Sequence, residues 1–302
     1  MRKSLIAVSS LAVLALGLAG CSSGGDDSAD GEWPDKITLS LVPSVEGEDL
    51  AEALGSDQAQ VIITDAGSLY NAIQQYDANL ILRDVRFGAT SYSAVAYTNN
   101  PDKYCDDEPV MANYEAGPVD LSYCNGLEDS GTSLGEGGPK GVEHLADAKG
   151  AKVALQEATS PAGYQYPVVA MRDLGLDTDA DIEQIPVEGN NNAVIAVANG
   201  DAEVGFAYWD ARVTVTDEIP DIADKAVAFA YTEQIPNGGV AASNTLPADL
   251  TKKLTTLLDD YAESSDEAAD VMFDLVGLSD WTSETAEDEI TRYGEILEQF
   301  AG

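Results

Sequence analysis

The run KVALQEATSPAGYQYPVVAMRDLGL, Lys152 to Leu176, decides the fold. Lys152–Gln156 reads as a strand with an apolar centre, and a helix is predicted over Pro161–Leu174. Pro161 suits the first helical position, where its missing N–H costs nothing, and Ser160 then becomes the N-cap. A strand that runs straight into a capped helix is one βα unit. The start of such a helix carries the positive end of the helix dipole and unpaired backbone N–H groups, which suits an anion. A serine that merely caps its helix produces the same spacing, and on spacing alone that plainer reading is favoured.

The same alternation extends in both directions. Before this run, strands are predicted at Lys36–Ser44, Gln60–Thr64, Asn79–Arg83 and Ser91–Thr98, with helices at Glu46–Leu54 and Ser68–Tyr76. Residues 100–140 are rich in Gly, Asp, Asn and Pro and read as an irregular insertion. After it come a helix at 141–147, strand Ile182–Pro186, helix Asn191–Asn199, and strands Glu203–Tyr208, Ala226–Tyr231 and 239–243. Three helices finish the chain. Leu250, Leu254, Leu257, Leu258 and Tyr261 stripe the first; Val271, Phe273, Leu275 and Val276 lie in the second. Ala286, Ile290, Tyr293, Leu297 and Phe300 line the third. This order predicts an α/β chain built on parallel sheet.

The first residues give an address. Arg2 and Lys3 precede an apolar run from Leu5 to Leu18 that ends in Leu18-Ala19-Gly20-Cys21. That is a secretory signal too short for a stable transmembrane span. Cys21 directly after Leu-Ala-Gly makes it a bacterial lipoprotein signal, with 1–20 removed, Cys21 lipidated and 21–35 a flexible Gly/Ser/Asp-rich tether. The expected location is the extracytoplasmic face of a membrane, held by lipid. With Cys21 so used, Cys105 and Cys124 remain as an even pair in an oxidising compartment, and a disulfide is expected.

Charge excludes several partners. The chain carries 54 Asp+Glu against 15 Lys+Arg, a formal net charge of −39. Removing Arg2 and Lys3 with the leader takes it to −41. Nucleic acid and anionic lipid surfaces are poor partners for such a chain. The acid is spread evenly, as on a solvated, self-repelling surface; a saline habitat and ordinary acidic drift account for it equally well. His144 is the sole histidine, so no Cys/His metal site forms and no metal is expected.

An enzyme reading rests on Gly131-Thr132-Ser133-Leu134-Gly135, which fits G-x-S-x-G. That elbow needs a strand before it and a helix after it, whereas this run sits in a Gly-rich loop. No phosphate-binding loop, dinucleotide fingerprint or metal signature is present, so neither catalysis nor a cofactor is expected. Two further segments open after strands. Gly189-Asn190-Asn191-Asn192 begins a helix with neutral donors and acceptors. Tyr208-Trp209-Asp210-Ala211-Arg212 places a carboxylate where α/β folds bind ligands, or else forms a surface Asp–Arg pair.

At LVPS (41–44), LILRDVRFGATSYSAVAYTN (80–99), VALQEATSPAGYQYP (153–167), GNNNAVIAVANGDAEVGFAYWDAR (189–212) and IPNGGVAAS (235–243), the chain resembles solute-binding lipoproteins of ABC importers for phosphonate, phosphite and phosphate. The resemblance covers most of residues 37–245. It implies a two-lobe periplasmic-binding-protein-like fold of type II, with the disulfide-stapled insertion added. Residues 36–97 and 235–302 would form lobe 1 and 98–234 lobe 2, with crossings near Tyr97–Asn100 and Thr232–Pro236. A phosphorus oxyanion would sit between lobes on Thr159, Ser160, Gly163 and Tyr164, faced by Tyr92 from the first lobe. Asp210 would meet the ligand's organic end. Asn191 stands where relatives often carry histidine, which removes a cationic donor. The implied partners are a small anionic solute and an ABC permease with its ATPase, served by a monomer.

One departure bears on the first lobe. Only Val45 to Ala59 separates LVPS from QVIIT, where relatives have a further βα unit. The alternative reading is therefore a surface lipoprotein that keeps the binding fold but has lost or changed its ligand.

Overall fold

The structure is a computed structural model that describes residues 14–17, 40–43, 50–113, 119–130, 138–208 and 210–300. Its contacts divide these residues into two units. The first holds the described residues up to Thr90 together with Asn237–Gly294; the second holds Ser91–Pro236 and the residues after Gly294.

In chain order the first unit opens with β1 (Leu14–Gly17), β2 (Ser40–Pro43), α1 (Leu50–Gly55), β3 (Val61–Thr64), α2 (Ala66–Tyr76) and β4 (Asn79–Val85). The second unit follows with β5 (Ser91–Thr98), α3 (Pro101–Tyr104), β6 (Val110–Asn113), β7 (Asp120–Tyr123), β8 (Lys152–Leu155) and α4 (Tyr166–Asp173). It continues with β9 (Glu183–Pro186), α5 (Gly189–Asn199), β10 (Val204–Tyr208), α6 (Ile222–Lys225) and β11 (Val227–Pro236). The chain then returns to the first unit for β12 (Gly239–Ala242), α7 (Ala248–Asp259), α8 (Asp266–Val276), β13 (Asp280–Thr282) and α9 (Glu287–Glu298), whose last turn is counted with the second unit.

The first unit's sheet runs β13-β4-β12-β3-β1-β2. Its described ladders are all antiparallel, because β12, arriving late in the chain, slots between β3 and β4 and runs against both. The parallel sheet expected from the β/α order is thus interrupted here. β1, from the segment read as a leader, pairs with both β2 and β3. α2 starts two residues before the expected Ser68: the Asp65 carboxylate accepts from Gly67 N at 2.8 Å and Ser68 N at 3.1 Å, a firm N-cap. Val61, Leu82, Val240, Leu250, Leu254, Met272 and Trp281 form this unit's core.

The second unit's sheet runs β6-β7-β11-β5-β10-β8-β9. It is mixed: β8 is parallel to β9 and β10, while β5 is antiparallel to both β10 and β11. Both faces are covered, which explains the nearly unbroken apolar strands. Successive residues go to opposite sides, so Ala96, Phe206 and Phe229 enter one core while Val95, Tyr97, Ala207 and Ala228 enter the other.

Three expectations move. β5 and β11 pair from Ser91↔Pro236 to Thr98↔Val227, so each strand lies whole within the second unit. The first crossing therefore falls at Thr90/Ser91 rather than near Tyr97–Asn100, and the second at Pro236/Asn237, at the edge of the expected Thr232–Pro236. Residues 100–140 are more regular than expected: α3 and the β6–β7 hairpin lie there, tied by the Cys105–Cys124 disulfide. The helix expected at 141–147 is a 3₁₀ segment, Val142–Ala148. Ser133 and its G-x-S-x-G run lie outside the described residues.

Candidate functional site

In the second unit, β8 and β10 run parallel and end side by side, β8 into Gln156 and β10 at Tyr208. Each strand leads to a turn or a helix start, the arrangement that gathers ligands at carboxyl ends in α/β folds.

Ser160 is an N-cap, as its spacing predicts: its Oγ accepts from Gly163 N at 3.1 Å. The helix does not open as a plain α turn. Pro161–Gln165 forms one wide π turn, in which Tyr164 N and Gln165 N both donate to Ser160 O, at 3.1 and 3.0 Å, before α4 begins. Ser160 N itself donates to Glu157 O at 2.8 Å. The bare amides expected at this helix start are thus engaged at Ser160, Gly163, Tyr164 and Gln165. Capping and the wide turn engage these four.

The side chain at the centre is Gln156, which is buried. Its backbone N–H donates to Gly163 O at 3.0 Å. Its Nε2 donates to Asn190 Oδ1 at 3.0 Å and to Phe206 O at 3.2 Å. Its Oε1 accepts from Ser160 Oγ, at a long 3.4 Å. Asn190 Oδ1 accepts a second bond, from Tyr208 N at 3.0 Å. Gly163 lies so close that a Cβ there would stand 2.3 Å from Gln156 Cδ, so the contact requires glycine. Every group in this network is neutral.

The remaining expected residues separate. Thr159 is exposed beside half-buried Ser160. Tyr164 is half-buried, with its ring 5.8 Å from that of Phe300 and against the core. Tyr92 stands on β5, in the second unit rather than the first, edge-to-face with exposed Tyr208 at 6.3 Å. Asn191 is exposed and accepts from Thr214 Oγ1 at 2.7 Å, so its neighbour Asn190 is the one that joins Gln156. Sequence reasoning missed Gln156, Asn190 and Tyr208 as a set. A polar residue closing an apolar strand just before Ser-Pro was the available signal for Gln156.

Asp210, expected at the ligand's organic end, is 1% exposed. Its Oδ2 lies 2.6 Å from Arg212 Nη2 and accepts from Tyr123 Oη at 2.7 Å; its Oδ1 accepts from Arg212 Nε at 2.8 Å. It forms a buried ion pair with Arg212 rather than a surface pair. Burial works against the Arg212 charge, but the Asp210 carboxylate outweighs it and holds the guanidinium above its ordinary pKa.

The first unit carries its own perturbed carboxyl. Asp84 is pushed up to about 6 by burial, against the opposing pull of its hydrogen bond from Trp281 Nε1 and the charges of Arg86 and Arg83. Among the described residues no helix is long and apolar enough to cross a membrane.

The chain is similar to several known proteins. The sequence model described as the periplasmic substrate-binding protein of phosphonate ABC transporters matches residues 37–288. The phosphate-import protein PhnD of Mycolicibacterium smegmatis is 24% identical over 271 residues, spanning 84% of this chain and 80% of that protein. Among solved structures, PhnD1 from Prochlorococcus marinus in complex with methylphosphonate superposes with a TM-score of 0.54 at 11% identity, over 86% of this chain and 85% of that one. A binding protein component of an ABC phosphonate transporter from Pseudomonas aeruginosa gives 0.50 at 16%, over 82% and 72%. At such identities the structures establish a shared periplasmic-binding α/β fold.

Proposed function

The chain belongs to the phosphonate-binding family of ABC-transporter periplasmic substrate-binding proteins, and from that premise we propose that it captures a phosphorus oxyanion at the Gln156–Ser160–Asn190 edge of its second unit. As a family member it is an extracytoplasmic binding protein of an importer and not an enzyme. The finer reading is a phosphonate, phosphite or phosphate ion handed to a permease and its ATPase. One observation carries it: the carboxyl ends of β8 and β10 bring neutral hydrogen-bonding side chains together at a half-exposed rim. In a chain of net charge −39, an anion is held by oriented local dipoles and hydroxyls rather than by bulk attraction. Thr159, Ser160, Tyr92 and the Asn190–Asn191 pair are the contacts in this reading; Asp210, sealed in its ion pair, is not.

Lipid attachment at Cys21, with cleavage after Gly20, and action as a monomer complete the proposal. Mass spectrometry of the membrane-extracted protein tests the anchor: an unmodified Met1 or an unacylated Cys21 would remove it.

Isothermal calorimetry of the purified protein with phosphate, phosphite, methylphosphonate and 2-aminoethylphosphonate tests the ligand class. Heat from at least one is expected, lost on Ser160→Ala. Silence with all four removes the reading. It would favour the second one, a binding fold without its ligand, which has an observation of its own: among the described residues only the six-residue α1 lies between β2 and β3.

A further inference from the structure

We infer that Gln156 is a positioning residue that locks the Asn190 amide with its NH2 group toward the ligand, making Asn190 a fixed donor for the bound anion. The inference rests on the proposed reading of this edge as the anion site and goes beyond it, to how the donors are aimed.

Donor and acceptor chemistry fixes the orientation of both amides. Tyr208 N–H is a donor, so the Asn190 atom facing it at 3.0 Å must be the oxygen. Phe206 O is an acceptor, so the Gln156 atom facing it at 3.2 Å must be the nitrogen. That nitrogen also reaches the Asn190 oxygen at 3.0 Å, and the two assignments agree. Asn190 Oδ1 therefore holds two donors, and neither amide is able to flip without setting like against like. Asn190 Nδ2 is left with two hydrogens and no acceptor among the described residues, on a side chain that is only half-buried. Gln156 Oε1 meanwhile draws the Ser160 hydroxyl at 3.4 Å, a long bond that an anionic oxygen outcompetes. Gln156 itself is 7% exposed and is walled by Gly163, so it acts through its neighbours and does not touch ligand.

The consequence is a rim whose fixed side-chain group is a donor rather than an acceptor. It suits ligand oxygens that only accept, as in a fully ionised phosphonate.

A double-mutant cycle on methylphosphonate binding tests this, with Asn190→Ala, Gln156→Met and the double variant, each checked for a folded circular dichroism spectrum. Asn190→Ala is expected to weaken binding about 10-fold, Gln156→Met by a similar factor, and the double variant by no more than the larger single loss. Should Gln156→Met fail to fold, the wild-type protein still decides. Its Asn190 side-chain 15N–1H pair, identified by its absence in Asn190→Ala, must shift on titration with methylphosphonate. A stationary pair overturns the inference, as do single losses that multiply in the double variant, or wild-type affinity in either single variant. If wild-type protein binds neither methylphosphonate nor inorganic phosphate, the site reading falls and takes the inference with it.

Discussion

Arg212 Nη2 lies 2.6 Å from Asp210 Oδ2, with both side chains shut away from solvent. The guanidinium also donates to Ser122 O and Ala226 O, at 2.6 and 2.8 Å, and lies over the rings of Tyr97 and Tyr123. One ion pair thus ties β7 and β5 to the turn after β10 and the residue that enters β11.

Removing one partner strands the other charge in a dry interior. Arg212→Met should lower unfolding free energy by about 3–5 kcal/mol, and Asp210→Asn by a comparable amount. The double replacement, Arg212→Met with Asp210→Leu, should recover part of the loss because no bare charge remains. Urea unfolding measures all three. A single variant within 1 kcal/mol of wild type would show the pair to be dispensable.

The Asp84 carboxyl gives a pH signature of opposite sign to the usual acidic group. Its folded pKa of about 6 lies above its ordinary 3.8, so the folded chain holds the proton more tightly than the unfolded chain. Its contribution is undiminished below pH 3.8 and is lost as pH rises through 6, a change of about 3 kcal/mol at full ionisation. Asp84→Asn should therefore gain stability relative to wild type between pH 4 and 7. Parallel stability–pH curves for the two proteins would refute the assignment.

Cys105, directly after α3, and Cys124, directly after β7, close a loop of sequence separation 19 that contains β6 and β7. Loop closure of that length stabilises by roughly 3 kcal/mol. Cys105→Ser with Cys124→Ser should lower stability by that order, read as an earlier thermal midpoint. An unchanged midpoint would mean that the hairpin and α3 hold without the bridge.

Gly163→Ala puts a methyl carbon where Gln156 Cδ and Nε2 already stand, both 2.3 Å away. The cost should be about 1–3 kcal/mol of stability, as for other overpacked sites. Anion affinity should fall as well, because Gln156 is displaced from Asn190. A variant that binds methylphosphonate as tightly as wild type would separate the Gly163 contact from ligand capture.

Local signals were legible. Ser160 and Pro161 specify a capped start through neighbouring atoms alone, and Ser91–Thr98 shows its strand by alternation. The burial of Asp210 was not legible, because its partners Tyr97 and Tyr123 are 113 and 87 residues away in the chain. Which asparagine meets Gln156 is hidden for a similar reason: the partner lies 34 residues earlier in the chain.

By itself the sequence determined the βα order, the family and the serine that opens a helix after β8, since periodicity, caps and long matched runs are written along the chain. Tertiary structure alone decided which asparagine meets Gln156, where the chain passes between units, and that Asp210 is sealed in an ion pair. Those outcomes depend on hydrogen-bond partners supplied by distant strands, and burial of a charge is fixed only when such strands close around it.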